Sequence, residues 1–372
     1  MKILLVNWMD MYNPLAGGAE VHLNEIFRRF VQRGDEVTFI SSGFKGCTAY
    51  DEYDGIRIIR TGSRETFNLT APKVLRKLDR KENFDLIVED INKIPLYTPL
   101  YLKKPLLVII PHLFGSTVFR ETNPLLASYV YLTERLIPYI YRNVMFEVIS
   151  KSTANDINKR GIKEDHIRIV HCGMDHETYS VDDTLSKFEQ PTILYVGRIK
   201  RYKSVDVILK VMPEVFVKIP DARLVIVGSG DNLPELKRLA QKLGISEKVV
   251  FTGFVSMEEK VDWMRRSHVN VNPSPKEGWG LTNIEANACG TIAVASDADG
   301  LRDSVKDGET GLLFPYGDQK NLADKIIQIL RNEELRERLT KNAIKWAGNF
   351  TWDKCARKTM EVVEEVIERK VK

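Results

Sequence analysis

The sequence contains no paired cysteines, little net charge and no long apolar run. Its four cysteines are scattered without a C-x-x-C pair, which argues against a disulfide scaffold and favours reduced thiols in the cytosol. A formal charge of +4 on 372 residues, without an aromatic-basic motif, argues against nucleic acid as a partner. No uninterrupted apolar run approaches about 18 residues, so the sequence predicts no spanning helix.

The composition is that of a soluble globular protein. Hydrophobic residues make up 43% and charged residues 28% of the chain, and its length allows two or three domains. Residues 1–7 carry a basic residue, Lys2, near their start, as a signal peptide does. The apolar run is short and Asp10 soon interrupts it, so we expect a first strand instead.

Short β-branched runs alternate with helical patterns along the chain. Solid runs of Val, Ile and Leu, rather than alternating ones, mark strands that are covered on both faces. In the first half these are Ile3–Trp8, Glu36–Ser42, Ile56–Arg60, Asp85–Glu89, Leu106–Ile110, Met145–Ile149 and Ile167–Val170. The pattern restarts with Thr192–Val196, Arg223–Val227, Lys248–Thr252, Val269–Asn272 and Thr291–Ala295.

Two successive β-α arrays predict two doubly wound α/β domains, whose ligands bind at the carboxyl ends of the strands, in the cleft between the domains. We place the first domain at residues 1–172, a polar linker at 173–191 and the second domain at 192–351. The stretch 352–372 is amphipathic and no strand comes after it, so we expect this helix to cross back to the first domain.

The segment Glu277-Gly-Trp-Gly-Leu-Thr-Asn-Ile-Glu285 is the most informative one. Glu277 falls on a strand-to-helix loop and Glu285 about two turns into the helix that opens near Leu281. A helix N-terminus offers free backbone N–H groups to an anion. Carboxylates beside such a site suit the hydroxyls of a sugar or ribose, so the segment predicts a phosphorylated carbohydrate ligand.

Three glycine or basic loops follow predicted strands. Gly17-Gly18 opens a helix and suits either a close ligand approach or a plain β-α turn. Arg198 and Lys203 stand where cations can neutralise a diphosphate, although most such loops are merely solvated. The Gly228-Ser-Gly230 turn begins like a dinucleotide fingerprint, but its third glycine is missing. The missing glycine argues against NAD as a ligand, whereas a turn that lies near a nucleoside remains reasonable.

Further polar residues allow both functional and structural interpretations. Asp297 and Asp299 suit a metal ion poorly without more ligands, and a turn explains them as well. His112 lies at the carboxyl end of a central strand, where it could either contact a ligand or have a structural role. Residues 64–81 interleave cations with apolar side chains, which suits an anionic membrane surface or an ordinary exposed helix.

Four motifs in order resemble those of the family 4 glycosyltransferases. They are Gly17-Gly18-Ala-Glu, Gly197-Arg198 with Lys203, the stretch 273–290 around Glu277 and Glu285, and the stretch 297–311. The resemblance covers nearly the whole chain. It implies the GT-B architecture, in which two Rossmann-like domains face each other across a cleft, and a reaction that retains anomeric configuration without a metal or other cofactor.

The resemblance also implies a role for each matching residue. Arg198 and Lys203 would bind the donor diphosphate, Glu277 would contact sugar hydroxyls, and Glu285 would bind the ribose. His112 would touch the donor sugar. The backbone of Gly280, Leu281 and Thr282 would hold the sugar or phosphate, and Gly17 and Gly18 would leave room for the diphosphate and acceptor.

The predicted function is therefore retaining transfer of a hexose from a nucleoside-diphosphate sugar to an acceptor hydroxyl. GDP-mannose, UDP-glucose and UDP-N-acetylglucosamine all remain open as donors. The basic segment at 64–81 favours a lipid-linked acceptor, or another glycan acceptor at the inner face of the membrane. The alternatives are a sugar-nucleotide epimerase of the same architecture and a catalytically silent sugar-nucleotide-binding protein.

Overall fold

A computed structural model describes residues 1–92, 94–120 and 122–371, without the side chains of Arg120 and Val371. The chain forms two compact units. The first comprises Met1–Gly173 together with the C-terminal segment from Trp352, and the second comprises Met174–Thr351. Lys372, the last residue of the predicted C-terminal helix, lies outside the described residues.

The first unit is built on an eight-stranded sheet with the order β3-β4-β2-β1-β5-β6-β7-β8. Its pairings are parallel except for β3 with β4, an antiparallel edge that the sequence pattern did not predict. The strands are β1 Lys2–Val6, β2 Glu36–Ser41, β3 Tyr50–Tyr53, β4 Ile56–Arg60, β5 Leu86–Asp90, β6 Leu106–Ile110, β7 Met145–Val148 and β8 Ile167–Ile169. The central ones are buried along nearly their whole length, as solid apolar runs predict.

Helices pack on this sheet. They are α1 Gly18–Gln32, α2 Phe67–Glu82, α3 Pro124–Arg135, α4 Ile137–Ile140 and α5 Lys151–Lys159, with 3-10 turns at Thr98–Leu100, Gly115–Arg120 and Glu164–His166. Leu23, Ile26, Phe27 and Phe30 of α1 are fully buried at helical spacing.

The second unit has a six-stranded, parallel sheet with the order β11-β10-β9-β12-β13-β14. Its strands are β9 Thr192–Val196, β10 Arg223–Val227, β11 Val249–Gly253, β12 Val269–Asn272, β13 Ile292–Ser296 and β14 Gly311–Phe314. Strand order reverses between β9 and β12, and ligands of doubly wound sheets bind at the carboxyl ends of the strands at such a reversal.

The helices of the second unit alternate with these strands. They are α6 Val205–Lys218, α7 Leu233–Lys242, α8 Met257–Arg266, α9 Leu281–Ala288, α10 Leu301–Ser304, α11 Gln319–Arg331 and α12 Glu333–Ala347, with 3-10 turns at Arg201–Lys203 and Ser246–Lys248. Their buried faces join the central strands in one apolar core. Among the described residues, no helix combines the length and apolar composition that a membrane crossing requires.

The polar segment predicted as a linker packs onto the second unit. Its Lys187 is half-buried and donates hydrogen bonds to the carbonyl oxygens of Arg265 (2.8 Å) and Gly290 (2.7 Å) and to Thr291 Oγ1 (2.8 Å). These carbonyls lie at the C-terminal ends of α8 and α9, where a cation is favoured. The lysine therefore anchors the segment to both helices.

The C-terminal helix, α13 Trp352–Val371, packs on the first unit, as the sequence predicted. Arg29 of α1 pairs with Asp353 at 2.7 Å, and Arg168 pairs with Glu365 at 2.5 Å. At its centre Thr359 donates a hydrogen bond of 2.9 Å to the buried Glu147 of β7. The C-terminal end of the chain thus returns to the first unit and packs on its sheet.

Candidate functional site

The loops after β9 and β10 pack backbone against backbone. The Ile199 amide donates to the Ser229 carbonyl at 2.8 Å, and the Gly197 amide donates to the Val227 carbonyl at 3.0 Å. A Cβ atom on Gly230 would lie 2.0 Å from the Ile199 carbonyl oxygen. Gly230 is therefore required by the packing of the two loops, whatever contact it makes with a nucleoside.

Lys203 and Glu277 are brought together from loops 74 residues apart. Lys203 ends the 3-10 turn that precedes α6, and its Nζ lies 2.5 Å from Glu277 Oε1. The two side chains are only 15% and 17% exposed, so water screens their charges less than it would at the surface. The predicted diphosphate cation and the predicted sugar-binding carboxylate thus form one ion pair.

The Glu277 loop is held in place by the strand-to-helix loop after β13. The Glu277 amide donates to the Asp299 carbonyl at 3.0 Å. Gly300 has a φ of +80°, and a Cβ atom there would lie 2.2 Å from the Glu277 carbonyl oxygen. Only glycine allows this close approach, which fixes where Glu277 stands.

Asp297 and Asp299 face a cation of the same loop. Arg302 pairs with Asp297 at 2.8 Å and with Asp299 at 3.1 Å, and all three side chains are about half exposed. Within the part of the chain that the structure describes, no three His, Cys, Asp or Glu residues are grouped so that they could hold a metal ion. Arg302 thus ties together the turn that carries the two aspartates.

Helix α9 begins without a side-chain cap. Gly280 precedes it with a φ of +81°, and Leu281 and Thr282 form its half-buried first turn. Their backbone N–H groups lie where a helix leaves donors unfilled, so an anion is favoured there. Buried Asn283 anchors the helix, accepting from Asn270 Nδ2 at 3.4 Å and donating to Ser304 Oγ at 3.3 Å.

Glu285 is held by two residues that sequence reasoning missed. Lys260 Nζ lies 2.8 Å from Glu285 Oε2 and 2.7 Å from Tyr179 Oη. Burial and the charge of Glu285 raise the pKa of Tyr179 above its usual range, so the phenol stays protonated. Glu285, the residue predicted to bind the ribose, is therefore oriented by a lysine 25 positions before it. No sequence motif has that spacing, so the contact could not be recognised from the sequence.

Arg198 leaves its guanidinium exposed at the end of β9. Its contact in the loop is with Tyr202 Oη at 3.5 Å, and its carbonyl accepts from Tyr195 Oη at 3.1 Å. Burial raises the pKa of Tyr195, and the charge of Glu277 raises it further. Arg198 and Glu277 thus flank one buried tyrosine, and the guanidinium is accessible to an anion.

Phe254 is a third residue that the sequence pattern did not single out. It follows β11 directly and its side chain is 88% exposed. An aromatic ring exposed at the carboxyl end of a strand offers a flat face for stacking. The signal was present in the sequence as an aromatic residue just past the glycine that ends the strand.

The remaining predicted residues lie in the first unit. Gly17 caps α1, and its amide donates to Glu20 Oε2 at 2.7 Å. A Cβ atom on Gly17 would meet nothing closer than 3.9 Å, so packing does not require glycine there. Gly18 is the first residue of α1, and the half-buried His112 follows β6 with its ring 5.2 Å from Phe114. The donor and acceptor contacts of these three residues stay predictions.

Two family models match consecutive parts of the chain. Residues 16–178 match the model described as Glycosyltransferase Family 4, and residues 180–346 match the one described as Glycosyl transferases group 1. Together they span most of both units.

Two relatives extend this result. The chain is 24% identical to an uncharacterized glycosyltransferase of Methanocaldococcus jannaschii, over 99% of each protein. It is 34% identical to a D-inositol 3-phosphate glycosyltransferase of Frankia alni over 57% of this chain. That match spans 58% of the Frankia enzyme, so the similarity is confined to part of it.

Two solved structures share the fold. Sucrose-phosphate synthase from Thermosynechococcus elongatus superposes with a TM-score of 0.82 and 22% identity, over 99% of both chains. Anabaena HepE, crystallised with UDP and glucose, superposes with a TM-score of 0.78 and 17% identity, over 98% of this chain and 100% of that one. At such identities the likeness concerns the fold. The chain is a glycosyltransferase of family 4, with two Rossmann-like domains of the GT-B type.

Proposed function

We propose that this enzyme moves a hexose from a nucleoside-diphosphate sugar to an acceptor hydroxyl with retention of anomeric configuration. The observation that carries the proposal is the Lys203–Glu277 contact at 2.5 Å. It places a cation and a carboxylate side by side in loops at the carboxyl ends of β9 and β12, where the strand order reverses. A diphosphate and the hydroxyls of its sugar need that combination of groups.

Each part of the donor has a partner in the second unit. Lys203 and the exposed Arg198 bind the diphosphate, together with the N–H groups of the first turn of α9. Glu277 accepts from sugar hydroxyls. Glu285, held by Lys260, accepts from the ribose hydroxyls.

The chemistry follows from where charge develops. The bond between the anomeric carbon and the diphosphate oxygen breaks while the acceptor oxygen bonds to the same face of that carbon. The acceptor proton passes to the departing phosphate oxygen, so no enzyme nucleophile is needed. Arg198, Lys203 and the α9 N-terminus stabilise the negative charge on the leaving group. No metal takes part, since these cations supply the positive charge.

The base is the least specified part of the donor. We assign base stacking to Phe254, because its ring is 88% exposed next to the loop after β10. The UDP bound in the HepE structure supports uridine as the base. GDP-mannose is the purine donor against which the uridine donors are to be compared. For the acceptor we propose a glycolipid, lipid-linked glycan or cell-surface polysaccharide at the cytosolic face of a membrane. The basic segment 64–81, most of which belongs to α2, contacts that membrane.

The experiment that tests the proposal measures donor turnover by the full chain. UDP-glucose, UDP-N-acetylglucosamine and GDP-mannose are each incubated with and without a lipid extract as acceptor source. A transferase releases nucleoside diphosphate faster with the extract and attaches the sugar to an extract component. Turnover that acceptor does not change, with an altered or free sugar as product, would make it an epimerase. Binding without turnover would make it a silent binding protein.

A further inference from the structure

Helix α3 turns its apolar face towards solvent. Leu125, Tyr129 and Leu132 recur at helical spacing, and they are 85%, 43% and 59% exposed. The stripe continues with Leu136 and Tyr139, at 46% and 76%. A surface helix of a globular protein normally buries such a stripe, and a contiguous exposed one marks an interaction site.

The orientation of α3 is fixed by polar residues on its inner side. Glu134 is fully buried and accepts hydrogen bonds from the amides of Phe114 and Gly115, both at 2.8 Å. At the other end Asn123 caps the helix, accepting from the Leu126 amide at 3.0 Å. If α3 rotated to bury its leucines, the hydrogen bonds between the Glu134 carboxylate and those amides would break. Burying these polar groups without partners costs much free energy, so the leucines stay outside.

Helix α2 lies beside this face. Asn68, in its first turn, donates a hydrogen bond to the hydroxyl of Tyr129 at 2.7 Å. The next residue, Leu69, is 68% exposed and adds to the apolar surface. The two helices therefore share one outer surface, which we call the α2/α3 surface.

The rest of α2 supplies positive charge to this surface. Five cations line one depression: Lys73, Arg76, Lys77, Arg80 and Lys81. The two acidic residues of the helix are engaged elsewhere, since Asp79 pairs with Lys104 at 3.5 Å and Glu82 pairs with Arg57. The cluster therefore keeps a strong positive potential next to the exposed leucines.

We propose that the α2/α3 surface docks the enzyme on an anionic lipid bilayer. The leucines of α3 enter the boundary between headgroups and acyl chains, while the cations of α2 contact anionic headgroups. Lysines are depleted in protein interfaces, whereas an apolar stripe beside clustered lysines and arginines is the pattern of an interfacial helix. The inference rests on the membrane part of the proposed function and adds the apolar half of the contact.

The test is co-sedimentation of the full chain with vesicles of phosphatidylcholine alone or mixed with phosphatidylglycerol. We expect binding to the mixed vesicles that decreases with salt. Leu125→Ser/Leu132→Ser should reduce it more than tenfold, because each buried leucine contributes about a tenfold factor. Lys77→Glu/Lys81→Glu should do the same, since each cation near an anionic surface contributes about fivefold.

Matched controls come from exposed positions of the second unit. Val217→Ser on α6 and Lys242→Glu on α7 make the same kinds of chemical change and should bind like the wild type. The proposal is overturned if the wild type stays in solution with both vesicles, or if the α2/α3 variants bind like it. It is also overturned if Leu125→Ser/Leu132→Ser converts a dimer into a monomer, because a second copy would then cover the face. Thermal stabilisation by donor, measured on the same variants, should not change, which separates this test from that of sugar transfer.

Discussion

Lys203 Nζ lies 2.5 Å from Glu277 Oε1, and this contact joins two loops that the chain separates by 74 residues. Each side chain is the other's counterion in a partly buried place. A bound diphosphate would take over the lysine, and the carboxylate would then accept from sugar hydroxyls. The pair thus holds the two groups close to the places where they would meet the donor.

Lys203→Ala and Glu277→Ala should each reduce the transfer rate about 10²–10³-fold, because each removes a group that acts on developing charge or on the sugar. The double variant should lose little more than either single one, since the residues act as a unit. Steady-state kinetics with equal circular dichroism spectra checks this. Lys200→Ala is the control, because Lys200 lies in the same loop but pairs with Asp231. Parent-rate transfer by either single variant would contradict the assignment.

Lys260→Met should weaken nucleotide binding about tenfold, or ~1.4 kcal/mol, because Glu285 loses the group that orients it. The effect should fall on KM more than on kcat, since the ribose lies away from the reacting carbon. Lys260→Arg should restore part of the affinity, and the exposed Lys242→Met should leave it unchanged. Titration calorimetry with the nucleoside diphosphate measures this; unchanged affinity in Lys260→Met would remove Glu285 from the ribose site.

Removing divalent cations should leave the transfer rate unchanged. Arg302 engages Asp297 and Asp299, and in the proposed site Arg198 and Lys203 would supply the positive charge that a metal supplies elsewhere. The measurement compares enzyme dialysed against EDTA with the same enzyme after addition of Mg²⁺ or Mn²⁺. A rate that is lost on dialysis and regained with the metal would refute metal independence.

The free energy of unfolding should fall as the pH rises from about 4.3 to 8. Burial raises the pKa of Glu147 to about 8, so the folded state keeps a proton that the unfolded state releases above about 4.3. The loss should reach on the order of 4 kcal/mol by pH 8. Glu147→Gln should remove this contribution and stabilise the protein at pH 8, whereas the exposed Glu368→Gln should not. Urea unfolding at several pH values tests this prediction. If the free energy of unfolding depended on pH equally in the wild type and in Glu147→Gln, the prediction would be contradicted.

The sequence predicted the frame of this site because local patterns encode it. Solid apolar runs marked the central strands, and glycines marked the turns that place Arg198 and Glu277 at their carboxyl ends. Strand β3 was missed because Tyr50–Tyr53 is a polar edge strand that only its partner defines. Lys260 was missed because its contact with Glu285 depends on how α8 and α9 pack. The outward orientation of the α3 leucines was missed because the buried Glu134 sets the rotation of that helix.

The most direct test of the central claim is thermal unfolding of the wild type and Lys203→Ala with each candidate donor. A donor at about 100 times its dissociation constant adds roughly 2.7 kcal/mol to the free energy of unfolding, which gives a clear rise in Tm. We predict that one of UDP-glucose, UDP-N-acetylglucosamine or GDP-mannose raises the Tm of the wild type and leaves that of Lys203→Ala nearly unchanged. No shift with any donor, or an equal shift in both proteins, would contradict a donor site built on Lys203 and Glu277.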